Sequence, residues 1–460
     1  MKYNLTISGG DYDALREHLY PGDGKEAVAI ALCGRQKSEG QKRLLVHELI
    51  LIPYDQCTQR EEYVVKWSTQ IIIPYLEKAS RKGLALLKIH SHPTGYPSFS
   101  STDDISDSEL FSSVFGWMDD EEPHASAIMF PNGKIIGRVF NSNLQEQVID
   151  KINVVGNDLQ FWFADEAKGA EEFELRTVQA FGEGTTNKLK RLKIAVVGCS
   201  GTGSPVIEQL VRLGIGHIVL IDPDRVEKKN LNRIFNSTME DAVKRRYKVD
   251  VLKRAIAKIG LGTSVTAFKK NIYDSPEIIN EIANCDVIFG CIDSVDGRHL
   301  LNQIATFYLI PYFDLGVKLI SDKKGGIDQI MGSVHYIQPG GSSLRTRGVY
   351  NDEELRAASM YRVSPEYYAE QKKAGYIVDV VVESPAVISI NTQIASMAIN
   401  DFLARVHPFK YDSNKEFAIN RISFTDSYYF HEGDGDIDSY LKKFAGRGDL
   451  KPLLNMPSLD

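Results

Sequence analysis

The stretch 193–224, KIAVVGCSGTGSPVIEQLVRLGIGHIVLIDPD, decides the architecture of the larger part of the chain. KIAVV is a short apolar run of the strand type. It ends in a glycine-rich turn, Gly198-Cys199-Ser200-Gly201-Thr202-Gly203. PVIEQLVRLG then reads as a helix, with Pro205 near its first turn, where a missing N–H leaves no bond unmade. HIVLI is the next strand. The alternation continues with a helix at 248–260 (KVDVLKRAIAKIG), strands at 285–293 (CDVIFGCID) and 311–317 (PYFDLGV), and a late helix at 388–406. This order predicts an α/β fold with an open, mainly parallel sheet and helices on both faces.

Upstream the pattern changes. AVAIALCG (27–34), LLVHELILIP (44–53) and LALLKIHSHP (84–93) read as strands, the last running into a loop. Residues 62–83 read as a helix, interrupted or entered by Pro74. SAIMFPNGKIIGRVF (126–140) is a hairpin around Pro131-Asn132-Gly133. These features predict a second α/β domain of mixed order. A charged linking segment (165–181) and a glycine-bearing loop, GEGTTN (182–187), follow it. The expected division is 1–164 and 165–460. The tail 446–460 reads as a surface strap with an incidental Arg-Gly-Asp triplet.

At 460 residues the chain is long enough for two to four domains. It has 54 Lys+Arg against 61 Asp+Glu, a net charge of −7, so no cationic excess favours nucleic acid as a partner. No apolar stretch reaches the roughly 18 residues of a membrane span. The start lacks the apolar core of a signal peptide. Five cysteines without a C-x-x-C pair point to a reduced, cytoplasmic protein.

His90 and His92 alternate at the end of an apolar strand and so point to one side. With Asp103, at the start of the helix DDISDSELFSSVFGW, they make a three-ligand zinc set with an open fourth position. Zinc there polarises a carbonyl and brings the pKa of bound water to about 7. Glu26, just before AVAIALCG, is the candidate general base, and Ser100 the candidate donor to a tetrahedral oxyanion. This arrangement resembles the JAMM/MPN (JAB) metallopeptidases, whose motif is H-x-H-x7-S-x-x-D with a distal Glu. His90, His92, Ser100 and Asp103 match it without gaps. Glu26 matches the distal Glu with one extra residue before Gly34, and Glu48, inside a strand, is the alternative. The resemblance covers about the first 145 residues. It implies cleavage of peptide or isopeptide bonds after the terminal glycine of ubiquitin-like proteins.

The glycine turn opening a helix suits phosphate binding, with Asp222 on a ribose hydroxyl. By itself this equally fits a dinucleotide-dependent dehydrogenase. Asn230-Leu231-Asn232-Arg233, Lys248 and Asp293 break the tie. Arg233 and Lys248 would neutralise a polyphosphate and Asp293 would hold Mg²⁺, as an adenylating enzyme needs. From about residue 172 to at least 405 the chain resembles the ThiF/MoeB and ubiquitin-activating superfamily, which has a Rossmann-like adenylation domain. The matches are Gly201 and Gly203 in the turn begun by Gly198, Asp222, Asn230, Arg233, Lys248 and Asp293. Arg176 matches an arginine that in the family reaches a partner's ATP, so the resemblance implies a homodimer.

No cysteine follows Cys291, and Ser343 and Thr346 stand where relatives carry zinc-binding thiols. That excludes a thioester in this segment. The favoured reading is that activation ends at the acyl-adenylate. The alternatives are an oxyester on a hydroxyl such as Ser343 or Ser384, or use of an earlier cysteine, which is unattractive because Cys199 lies in the glycine turn and Cys285 and Cys291 flank a buried strand. The two resemblances together imply a bacterial-type enzyme using ATP, Mg²⁺ and Zn²⁺ on a ubiquitin-like protein ending in glycine. A conjugating enzyme is an optional further partner. Such fusions are associated with bacterial conjugation systems, some of them antiviral. The alternatives are processing and activation of a sulfur carrier, and a nucleotide-binding module that regulates the peptidase.

Overall fold

A computed structural model describes the chain apart from residues 119, 166–168, 323–325, 375–376, 378–386 and 460. The chain forms two compact units. The first comprises Met1–Glu166 with Phe307–Leu309 and Phe444–Lys451. The second comprises Ala167–Thr306, Ile310–Lys443 and Pro452–Asp460.

The first unit runs β1 (Lys2–Ser8), α1 (Gly9–Leu19), β2 (Val28–Ser38), β3 (Gln41–Leu51), β4 (Cys57–Glu61), β5 (Val64–Trp67), α2 (Ile73–Lys82), β6 (Ala85–Ser91), α3 (Ser101–Met118), β7 (His124–Met129), β8 (Ile135–Phe140), β9 (Glu146–Val148), β10 (Lys151–Val155) and β11 (Leu159–Phe163). Nine strands form one sheet in the order β11-β10-β1-β3-β2-β6-β7-β8-β9, and β4 and β5 form a separate hairpin. Strand periodicity divides the core. Ala27, Ala29, Ala31 and Cys33 of the β2 segment face Tyr12, Leu15 and Leu19 of α1. Val28, Ile30 and Leu32 face Leu76 of α2 and Leu110, Phe111 and Val114 of α3. In β6, Leu87 and Ile89 point to the α1 side, which leaves Lys88 and His90 on the side of α3.

Two local expectations are corrected. Residues 62–83 are not one helix: β5 and a 3-10 turn at Thr69–Ile72 come first, and α2 starts at Ile73 with Pro74 in its first turn. Proline cannot sit inside a continuous helix because it lacks the N–H and clashes with the preceding turn. GEGTTN is not a loop. It lies within α4 (Leu175–Leu189), whose only non-helical residue is Gly182 at φ 77°, ψ 161°, so one glycine takes the whole bend. The tail, expected as a strap, has Asp449 donating its N–H to Arg35 O at 2.8 Å. A Cβ on Gly446 would stand 2.2 Å from Val46 O.

The second unit continues from α4 through β12 (Lys193–Val197), α5 (Gly203–Arg212), β13 (His217–Ile221), α6 (Met239–Val243), α7 (Lys248–Ile259), β14 (Ser264–Phe268), α8 (Pro276–Ala283), β15 (Val287–Gly290), α9 (Val295–Phe307), β16 (Tyr312–Ser321), β17 (Ile327–Ile337), α10 (Asp352–Val363), α11 (Pro365–Lys373), α12 (Ile388–Val406), β18 (Ile419–Ser423) and β19 (Tyr428–Glu432). Its sheet has the order β14-β13-β12-β15-β16-β17-β18-β19. The pairs from β14 to β16 are parallel and those from β16 to β19 antiparallel. This is the expected α/β architecture. The order in which the parallel strands are laid down reverses between β12 and β15, and a crevice at the carboxyl ends of such strands is the usual ligand site. Among the described residues, no helix is long and apolar enough to cross a membrane.

Candidate active sites

The β2–β6 register pairs Val28 with His90, and Ser91 N–H donates to Ala27 O at 3.0 Å. Continuing that antiparallel register places Glu26 opposite His92. His90 Nε2 and His92 Nε2 stand 3.2 Å apart, and lie 2.9 and 3.4 Å from the two carboxylate oxygens of Asp103. All three residues are buried, and their ligand atoms lie within 4.8 Å of one another. His92 Nδ1 is 3.0 Å from Tyr96 O, which fixes that ring with Nε2 turned inward. The buried His90 Nδ1 has no hydrogen-bond partner among the described residues. Two imidazoles and a carboxylate converging from one side fit a zinc ion with an open position.

Asp103 is aimed by the cap of α3. Ser100 N–H and O–H each donate to Asp103 Oδ2 at 2.7 Å, and Asp103 N–H donates to Ser100 Oγ at 3.2 Å. The S-x-x-D spacing is thus also a reciprocal helix cap. One turn on, the fully buried Asp107 accepts from Lys88 Nζ (2.7 Å) and Arg138 Nη2 (2.8 Å), which ties α3 to β6 and β8. Sequence reading missed this cluster, although a lysine inside LALLKIHSH was its signal.

Burial opposes the charge on Asp103, but hydrogen bonds from His90 and His92 outweigh it and hold the carboxyl well below the usual range. Glu26 is 7% exposed. Burial, assisted by the charge of Asp103, pushes its carboxyl up to about 7, suited to a proton acceptor near neutral pH. Glu48 is ion-paired with Lys78.

In the second unit, Gly198 N–H donates to Ile221 O at 2.8 Å, and a Cβ there would stand 2.4 Å from Cys291 O. A Cβ on Gly203 would stand 1.8 Å from Gly198 O. The turn therefore closes only with glycine at both positions. Asp222 Oδ2 accepts from Cys199 N–H at 2.7 Å and Oδ1 from Asp224 N–H at 2.8 Å. Lys248 Nζ donates to Asp224 Oδ2 at 2.7 Å and lies 3.5 Å from Asp222 Oδ1. Burial raises the Asp222 carboxyl. Burial also works against the Lys248 charge, but Asp222 and Asp224 together hold its pKa above the ordinary value.

Asn230 is buried, and its Oδ1 accepts from Glu227 N–H at 3.0 Å. Arg233 is half-buried, with Nη1 donating to Lys229 O at 3.0 Å. Asp293 is exposed in the loop after β15. Arg298 stiffens that loop, donating from Nε to Ile292 O (3.2 Å) while 3.3 Å from the buried Asp314. Arg176, on the first turn of α4, is exposed and donates to Gln179 Oε1 at 3.1 Å.

Ser343 is 1% exposed and its hydroxyl donates to Asp438 Oδ2 at 2.7 Å. Its N–H donates to Thr346 Oγ1 at 2.9 Å, and Thr346 N–H returns a bond to Ser343 Oγ at 3.2 Å. The hydroxyl named as an alternative acyl acceptor is therefore an interior cap. Ser384, the second such hydroxyl, lies outside the described residues. Burial raises the thiols of Cys199 and Cys291 well above the ordinary range, so neither is a ready nucleophile.

The model of the ThiF family matches residues 174–425, and that of prokaryotic homologs of the JAB domain matches residues 10–132. The adenylyltransferase and sulfurtransferase UBA4 of Meyerozyma guilliermondii is 30% identical over 136 residues, covering 29% of this chain and 31% of that protein. Ubiquitin-like modifier-activating enzyme 5 of Drosophila willistoni is 25% identical over 164 residues, covering 33% of this chain and 38% of that protein. The chain thus spans well under half the length of these curated relatives. The solved structure of E. coli MccB with ATP aligns at a TM-score of 0.44 and 18% identity, over 59% of this chain and 74% of that one. With its family match extending over more than half of its residues, the chain belongs to the ThiF family, preceded by a domain of the prokaryotic JAB type.

Proposed function

We propose that the chain adenylates the carboxy-terminal glycine of a ubiquitin-like or sulfur-carrier protein, and cleaves the peptide or isopeptide bond that follows that glycine. The observation that supports it is the presence, in one chain, of a ThiF-family domain and a JAB-type domain, with the ligand atoms of His90, His92 and Asp103 within 4.8 Å of one another.

At the first site, zinc held by His90, His92 and Asp103 would supply Lewis acidity and water activation. Glu26 takes the proton from the attacking water and returns it to the leaving amine. Ser100 keeps Asp103 turned toward the imidazoles through its N–H, and its single hydroxyl proton, turned from Asp103 Oδ2, is the donor we assign to the oxyanion. At the second site, N–H groups of the Gly198–Gly203 turn and the start of α5 cradle the phosphates. Asp222 orients the ribose, and Asn230, Arg233 and Lys248 hold the phosphates as charge moves to the leaving pyrophosphate. Mg²⁺ held by Asp293 and the phosphates would neutralise part of that charge. The carrier carboxylate attacks the α-phosphorus, and the product is an acyl-adenylate. Arg176 serves the nucleotide of a second copy in a homodimer.

The test uses the full chain with a β-grasp protein that carries a short extension beyond its glycine. The expected result is zinc-dependent removal of the extension, followed by ATP–pyrophosphate exchange only with the trimmed protein. Cleavage without exchange would leave the ThiF domain as a regulatory nucleotide-binding module. The sulfur-carrier reading is favoured by the UBA4 relative, which is named as a sulfurtransferase. A thiocarboxylate formed with sulfide, in place of a conjugate to an amine, would select it.

A further inference from the structure

One residue outside every motif stands at the glycine turn. Asn391 lies in the first turn of α12, some 190 positions downstream of Gly201, and is 3% exposed. A Cβ on Gly201 would meet its side-chain Nδ2 at 2.4 Å and the Cδ of Arg233 at 3.3 Å. Gly201 therefore lacks a side chain where an amide and an arginine stem already fill the space. The side-chain amide of Asn391 and the stem of Arg233 thus border Gly201 in the glycine turn. The backbone N–H of Asn391 donates within its helix, to Val387 O at 3.0 Å. The amide group is neutral and a double donor. Against a turn built to receive phosphate, it offers a contact that adds no charge to a site already holding Arg233 and Lys248.

We infer that Asn391 is a nucleotide-contacting residue whose Nδ2 donates to a phosphate oxygen of ATP above Gly201. The inference rests on the adenylation reading and extends it with a contact that comes from α12. Asn391→Ala removes the donor. Asn391→Asp replaces it with a carboxylate facing phosphate.

The experiment measures ATP and adenosine binding by calorimetry on the full chain and both variants, with melting temperature followed in parallel. We expect ATP affinity to fall about tenfold in N391A, as for loss of a hydrogen bond to a charged group, and further in N391D, while adenosine affinity stays within about twofold. A merely structural role would move ATP and adenosine together and would not rank Asp below Ala. If N391A fails to fold, Asn391→Ser carries the same comparison. Unchanged ATP affinity in a folded N391A or N391S, or equal losses for ATP and adenosine, overturns the inference. A wild-type chain that binds adenosine and ATP equally weakly overturns the adenylation reading and this contact with it.

Discussion

At His90, His92 and Asp103 three side chains from a strand end and a helix start converge on one point, and buried charges behind them hold the helix in place. At Gly198, Gly201 and Gly203 no side chain fits, because Cys291, Asn391 and the turn itself occupy the space beside each. The first site depends on which atoms are presented. The second depends on how closely two backbones approach. Substitutions should therefore fail for opposite reasons: removal of atoms at the first, addition of atoms at the second.

The largest effect is expected from Asp103→Ala. Losing one of three ligands should lower zinc affinity by at least about a hundredfold, more than an outer partner would cost, and abolish cleavage. Zinc content after dialysis measures it, and D103A retaining stoichiometric zinc would break the contrast. Gly203→Ala comes next. Its Cβ has no room beside Gly198 O, so the turn must open, at a stability cost of about 3 kcal/mol and with loss of ATP binding. Urea unfolding and calorimetry report both, and zinc content should not change.

Lys248→Met should slow ATP–pyrophosphate exchange by about a hundredfold, because the phosphate loses a buried cation that is pre-oriented by Asp222 and Asp224. Exchange as fast as wild type would remove Lys248 from the site.

Glu26→Gln sharpens the contrast through pH. In zinc-free protein the carboxyl lies near 7 when folded, against an ordinary value of 4.5. Between those values the folded state binds more protons than the unfolded state, so stability falls as pH rises and levels off above about 7. E26Q should remove that fall, making the variant up to about 3 kcal/mol more stable than wild type at pH 8 and little different at pH 4. With zinc restored, E26Q should keep the metal and lose cleavage. A parallel pH dependence of both proteins would contradict the buried-carboxylate account.

The two sites also differed in how far they could be read in one dimension. H-x-H at the end of LALLKIHSH and the S-x-x-D cap are short-range patterns, and strand and helix periods alone turn them inward. Glu26 lies far from them in sequence, and only the β2–β6 register brings it opposite His92. Lys88, Asp107 and Arg138 pass individually for ordinary charged residues and form a cluster only once α3 lies on the sheet. The 62–83 segment misled because its apolar residues also satisfy a strand followed by a turn, and Pro74 marked a helix start rather than an interruption. Gly182 looked like part of a loop because glycine is read as a breaker, yet here it only bends a helix.

Local order along the chain was enough for the α/β class, the glycine turn and the histidine pair, because helix, strand and turn propensities act over a few residues. Ser343 was legible as a hydroxyl but not as a buried one. Its environment comes from Asp438, almost a hundred residues later, and the choice between nucleophile and cap belongs to packing. Asn391 at Gly201 is the same case. Contacts between distant segments are set by how the layers stack and which volumes they fill, and no local spacing encodes that.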